Sequence, residues 1–173
     1  MGVSQLSGLR RILVIGSPGA GKSTLARALG DRLHVPVTHL DAEHWLPGWT
    51  VPPKAGWERR VDELISSDAW IIDGNYGGTL GRRLMRAEAV VFTDFPRVRC
   101  LWRVWKRALR WVGRQRVDMA PGCPEHLPDL AVMGFIWGYP THSRPRILAL
   151  LKEANAVVVH LRSPRALSTW MTR

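Results

Sequence analysis

The chain has 173 residues, of which 46% are hydrophobic and 23% charged, and it carries a net charge of +11. That length accommodates one domain with a substantial core, and the ordinary composition excludes a disordered or fibrous chain. Cys100 and Cys123 give neither a disulfide framework nor a metal-ligand spacing, and no stretch approaches the ~20 apolar residues of a membrane span.

The first predicted element is a strand over residues 12–15, four apolar residues running directly into Gly16-Ser17-Pro18-Gly19-Ala20-Gly21-Lys22-Ser23-Thr24. Helical spacing resumes at once with Leu25, Ala28, Leu29 and Leu33. A complete G-x-x-x-x-G-K-[ST] between a strand and a helix is a phosphate-binding loop. Glycines let the backbone adopt unusual dihedrals close to an anion, and the loop N–H groups face phosphate at the positive end of the helix. Lys22 is then the candidate for the β- and γ-phosphates of ATP and Ser23 for Mg²⁺.

A second short strand is expected over residues 36–40, followed by a Pro- and Gly-rich segment, 42–53, that carries Trp45 and Trp49. Spacing predicts a helix over 57–65 and a third strand over 69–73. A short helix over 80–86 and a fourth strand over 89–93 come next. Residues 96–112 form a longer helix with Val98, Leu101, Trp102, Trp105, Ala108, Leu109 and Val112 on its expected core face. Residues 113–128 are an irregular, lid-like connection. Two helices (130–137 and 144–154), a fifth strand (156–160) and a closing helix (164–171) complete the chain. Alternating strands and helices mean βαβ units with a parallel sheet, and no composition shift divides residues 1–173 into more than one domain.

Eight basic residues lie between 97 and 116 (Arg97, Arg99, Arg103, Lys106, Arg107, Arg110, Arg114 and Arg116) with no acid among them, leaving +3 for the rest of the chain. Such local charge points to an anion site. Arg103 and Arg107 are one helical turn apart, and Arg114 and Arg116 fall on the connection, where a closing lid brings them over the phosphates. Asp41, Asp73 and Asp94 end strands on the edge where open α/β sheets bind ligands, although each is also a turn-forming residue type. Asp73 is the first choice for the Mg²⁺ side, because Ile71-Ile72-Asp73 has the form of a Walker B strand. Asp41 faces the second substrate, with the option of acting as general base.

These motifs, together with Asp73-Gly74 and Asp94-x-Pro ahead of Arg103-x-x-x-Arg107, resemble the adenylate kinase-like group of nucleoside-monophosphate kinases. Within that group, Trp70-Ile71-Ile72-Asp73-Gly74-Asn75-Tyr76, Arg116-x-Asp118-Met119 and Gly122-Cys123-Pro124-Glu125 are similar to the family of DNA topology modulation proteins. The resemblance implies a three-layer αβα P-loop fold, a five-stranded parallel sheet in the order 2-3-1-4-5, and a short lid after strand four. It departs from adenylate kinases at Asn75-Tyr76 and at residues 40–45, so the acceptor it implies is not AMP.

The leading expectation is thus an ATP- and Mg²⁺-dependent small-molecule kinase. Arg103, Arg107, Arg114 and Arg116 would neutralise the transferring group, while Asp41, Trp45, Asn75, Tyr76 and Arg83 would line the acceptor site. The alternative is a nucleic-acid-associated regulator that uses the 97–116 helix on phosphate backbone. Contact of the same helix with a membrane surface is a weaker option. With no signal-peptide pattern, the expected location is the cytoplasm.

Overall fold

The computed structural model describes residues 2–173; Met1 of the expected 1–173 unit lies outside the described residues. Strand β1 (Arg11–Gly16) lies at the centre of a five-stranded sheet. It pairs in parallel with β3 (Trp70–Asp73) on one side and β4 (Ala89–Thr93) on the other. Strand β2 (Val37–His39) extends the β3 edge and β5 (Val157–Leu161) the β4 edge, giving the order β2-β3-β1-β4-β5. This is the order that the sequence resemblance implied.

Helices cover both faces. Along β1, Ile12 and Val14 point to one face and Leu13 and Ile15 to the other, following the two-residue strand period. The first face packs against α1 (Lys22–Leu33), α5 (Arg97–Trp111) and α7 (Pro164–Met171) through Leu25, Leu29, Val104 and Trp170. The second packs against α3 (Lys54–Ser66) and α4 (Gly77–Arg86) through Trp57, Val61, Leu80 and Leu84. A five-residue helix, α2 (Leu40–His44), follows β2 directly where sequence suggested only a turn-rich segment. At the chain start, a 3-10 turn (Val3–Leu6) caps the first core with Val3 and Leu6.

Two expectations change. The helices expected at 130–137 and 144–154 are one helix, α6 (Leu130–Glu153), which runs through Pro140 and Pro145. An interior proline removes a helical hydrogen bond and costs about 3 kcal/mol. Here Ile136 is locked into the first core and Tyr139, Ile147 and Leu151 into the second, so packing holds the axis across both prolines.

The second change concerns α5. Val98, Trp102, Trp105, Leu109 and Val112 are exposed, with Trp102 at 59% and Leu109 at 66%. The buried stripe is Cys100, Val104 and Ala108. The cause lies at the phosphate loop: Gly19 packs so closely on α5 that a Cβ there would collide with the Cys100 carbonyl. Only a stripe of small residues permits that approach.

Candidate active site

All five strands are parallel, so their carboxyl ends share one edge, where open α/β sheets bind ligands. A cleft of about 1260 Å³ opens there, between the phosphate loop, α2, α4, α5, α6 and the 113–128 connection. Its floor is the loop, where Pro18, Gly19, Gly21, Lys22, Ser23 and Thr24 line the cleft. Gly16, Ser17 and Ala20 lie behind it, buried, and shape the turn from beneath.

Gly16 and Gly19 adopt φ of 150° and 80°, and Gly21 caps α1 at φ 88°. At Gly16 a Cβ would collide with the Thr93 carbonyl, as it would with Cys100 at Gly19. Both positions therefore need glycine for space as well as for dihedrals. The loop is braced from the side by Asn75, whose Oδ1 accepts from Gly16 N at 2.9 Å while its Nδ2 donates to Gly16 O at 2.7 Å. Past Gly21 the first N–H groups of α1 have no partner within the helix and open onto the cleft.

Lys22 Nζ reaches only the Ser17 carbonyl, at 3.2 Å. Burial lowers its pKa, with the Arg107 charge adding to that, while Asp41 and Asp73 pull the other way. A buried ammonium on a single carbonyl among bare amides is a site that a polyphosphate satisfies.

The arginines converge on this floor from above. The Arg103 guanidinium is packed over Gly21. Arg107 Nε donates to Glu125 Oε1 at 3.1 Å, and Arg116 Nε makes a 2.6 Å ion pair with Glu125 Oε2. Glu125 therefore holds two arginines side by side at the cleft wall. Burial, and then repulsion from Arg116, lowers the Arg107 pKa. Arg114 does not join them. It is exposed outside the cleft, and its backbone bonds to Trp111 and Glu125.

The strand-end acids have separate fates. Asp94 is bonded by Arg144 Nε at 2.8 Å and by His160 Nε2 at 2.8 Å, which ties β4 to α6 and β5. Asp73 is buried, with Oδ1 2.7 Å from His39 Nδ1. Asp41 faces the cleft, and the Tyr76 hydroxyl donates to its Oδ1 at 2.7 Å. Burial and then the Asp41 carboxylate drive the Tyr76 pKa far above its ordinary value, so Tyr76 remains a donor.

Trp45, Trp49, Tyr76 and His126 form an aromatic part of the cleft wall. Trp45 meets Trp49 edge-on at 5.4 Å, and Trp49 meets His126 at 5.0 Å. The connection is stitched onto this wall: Gly48 N donates to Gly122 O, Trp49 Nε1 to Pro124 O, and Cys123 Sγ to Leu46 O. The 113–128 connection is thus docked on residues 46–49.

Two expected acceptor residues have other places. Arg83 is 0% exposed and donates to the carbonyls of Gly74, Asn75 and Tyr76, with burial bringing its pKa down to about 9. It fixes the β3–α4 turn and does not reach the cleft. Asn75 lines the cleft, but its amide is spent on Gly16. Conversely, His39, Asp118, Glu125 and Arg146 were not singled out in the sequence as site residues. Asp118, Glu125 and Arg146 line the cleft, and His39 holds Asp73 beneath it. The signal available for Asp118 and Glu125 was their place in the Arg116-x-Asp118-Met119 and Gly122-Cys123-Pro124-Glu125 runs, which the sequence resemblance quotes without giving either acid a role.

A shikimate kinase from Acinetobacter baumannii in complex with shikimate superposes on this chain with a TM-score of 0.60 at 18% identity, covering 96% of this chain and 91% of that one. A gluconokinase from Sinorhizobium meliloti 1021 does so with a TM-score of 0.53 at 16% identity, covering 96% and 89%. The fold is the one these kinases share. Comparison with protein-family models finds no match. Among curated proteins, a shikimate kinase from Thermobifida fusca (strain YX) is 37% identical over 78 residues, covering 45% of this chain and 37% of that one. The Bacillus subtilis (strain 168) protein YqaC is 31% identical over 110 residues, covering 61% of each. The chain therefore matches less than two thirds of the length of either curated relative. No helix among the described residues is long and apolar enough to cross a membrane.

Proposed function

We propose that the protein is a small-molecule kinase that transfers the γ-phosphoryl group of ATP to a hydroxyl of a compact acceptor, residues 2–173 acting as one catalytic unit. Within the shared fold, we place the chain nearest the DNA topology modulation proteins, on its 70–76 and 116–119 runs. One observation carries the kinase reading: a phosphate loop, a set of arginines and the Asp41 carboxylate, with one oxygen held by Tyr76, meet in one cleft under a docked lid. A site for hydrolysis alone has no use for an aromatic-walled pocket opposite the phosphates.

Phosphoryl transfer depends on positioning and on spreading charge over the equatorial oxygens. Lys22 and the loop amides hold the polyphosphate, and Arg103, Arg107 and Arg116 face the transferring group. The donor set suits Mg²⁺, because a serine hydroxyl and a cleft carboxylate leave room for phosphate oxygens and water, as that ion prefers. When bound, Mg²⁺ neutralises charge between the β- and γ-phosphates. Tyr76 occupies one oxygen of Asp41 and leaves the other to accept the proton of the attacking hydroxyl. The docked lid excludes water, which competes with the acceptor.

Screening nucleosides, nucleotides and small polyols with Mg·ATP tests this reading. Phosphorylated product with one acceptor class, lost in Lys22→Ala, is the expected result. ATP hydrolysis that no acceptor accelerates would overturn it. The nucleic-acid reading is less well supported, because Arg103, Arg107 and Arg116 line the cleft, and the exposed Arg99, Lys106 and Arg110 of α5 are interleaved with Val98, Trp102, Trp105 and Leu109 and form no continuous basic stripe. Duplex DNA binding that falls steeply with salt would favour that reading.

A further inference from the structure

We infer that Asp118, delivered by the lid, is the carboxylate that completes the Mg²⁺ site with Ser23, and that Asp73 is not. The inference rests on the kinase reading above.

Asp73 carries the Walker B form, yet it is ill placed for a metal role. Its side chain is buried and absent from the cleft wall, and His39 occupies one of its oxygens at 2.7 Å. A carboxylate committed to an imidazole in this way ties β2 to β3. Asp118 differs on each count. It lines the cleft together with Ser23; burial works to raise its pKa, but the Arg116 charge, then the His39 ring and the Ser23 hydroxyl, hold it below the ordinary carboxylate value.

Its neighbour Arg116 claims it only in part, as a long ion pair to one oxygen. Arg116 makes its short ion pair with Glu125, at 2.6 Å, and stands 3.7 Å from Asp118. That ion pair reaches Oδ2 and leaves Oδ1 as acceptor capacity facing the cleft. Mg²⁺ takes one or two protein oxygens and fills its remaining positions from phosphate and water, and Ser23 with Asp118 is such a pair. No group of three His, Cys, Asp or Glu able to hold a metal occurs among the described residues, so a chelating cage is not the alternative.

This placement couples the metal to the acceptor. Asp118 is carried by the segment whose Gly122, Cys123 and Pro124 bond to residues 46–49 of the acceptor wall. Loosening the wall withdraws the carboxylate. The Mg²⁺ site is then complete only while the lid is docked.

The test is ADP affinity by calorimetry, in EDTA and in saturating Mg²⁺. Asp118→Asn is expected to bind ADP in EDTA as the wild type does, showing an intact loop, but to lose the tightening on adding Mg²⁺ by about tenfold or more. Asp73→Asn is expected to keep that tightening. Retention of the full Mg²⁺ effect in Asp118→Asn, or its loss in Asp73→Asn, overturns the assignment and leaves the kinase reading standing. A wild type that binds no ADP under either condition removes both. Should a variant fail to fold, Mn²⁺·ADP added to the unmodified protein decides the question. Its paramagnetism is expected to broaden the Asp118 amide resonance before that of Asp73, and the reverse order overturns the assignment.

Discussion

Asn75 and Gly16 exchange two hydrogen bonds across the root of the phosphate loop, one in each direction, through the Asn75 amide and the Gly16 peptide. Only a side chain that both donates and accepts from adjacent atoms can do this. Asn75→Asp keeps the acceptor but sets a second oxygen against the Gly16 carbonyl. We expect it to weaken ATP binding at least as much as Asn75→Ala, with a stability loss of about 1–3 kcal/mol in either case. Thermal unfolding and nucleotide titration check this. A change confined to the acceptor KM would return Asn75 to the acceptor site.

Arg83 is a buried guanidinium on three carbonyls, with no acid bonded to it. Its truncation orphans those carbonyls where β3 turns into α4. Arg83→Ala is expected to cost about 3 kcal/mol or more in denaturant unfolding, and Arg83→Lys to recover only part of that because ammonium lacks the planar fork. If both variants unfold like wild type and raise only the acceptor KM, the structural role is wrong.

Much of the fold was legible from local pattern. The five apolar runs and the G-x-x-x-x-G-K-S turn are dictated by short-range chemistry, and they became strands and loop within a residue or so of expectation. What failed needed the third dimension. The apolar arc of α5 is wide enough to hold two stripes, and residue size favoured the tryptophans. The close approach of Gly19 to Cys100 instead selects the small residues for the inside. Arg83 looked like a ligand-binding cation because an arginine near a D-G turn usually faces solvent, and nothing local marks carbonyls folding back on it. Asp118 and Glu125 lie over thirty residues from any other predicted acid of the site except Asp94, and only lid docking brings them to the loop.

The α5 surface gives a direct check on that correction. Trp102 and Trp105 are exposed, and Lys106 Nζ lies 5.0 Å from the Trp102 ring centroid. Replacing Trp105 by Gln should change unfolding free energy by no more than about 0.5 kcal/mol, as at other surface positions. Val104→Ala, on the buried stripe, should cost more than that. A loss of about 3 kcal/mol at Trp105 would restore the original core face.

Gly122 adopts φ 75°, and a Cβ there would stand 3.0 Å from Pro47 Cβ at the seam between lid and acceptor wall. Gly122→Val combines left-handed strain with that crowding. The expected result is a raised acceptor KM and a weaker tightening of ADP by Mg²⁺, with ADP affinity in EDTA unchanged. Unaltered kinetics would show that lid docking at residues 46–49 is dispensable.

His39 connects the site to pH. Burial works to lower its pKa, but the hydrogen bond and charge of Asp73, with Asp118 behind them, outweigh burial and leave it above 6.5. A group whose folded pKa is raised adds stability below its unfolded value and loses it as pH rises through the folded one. In the nucleotide-free protein, the melting temperature should therefore fall as pH climbs from 6.5 past the His39 transition, and His39→Gln should flatten that slope. In Asp73→Asn the opposing terms go and burial dominates, so the His39 ring should titrate below its wild-type value by NMR. A His39 titration midpoint at or below 6.5 in the wild type would mean that the imidazole is held to Asp73 as a neutral ring.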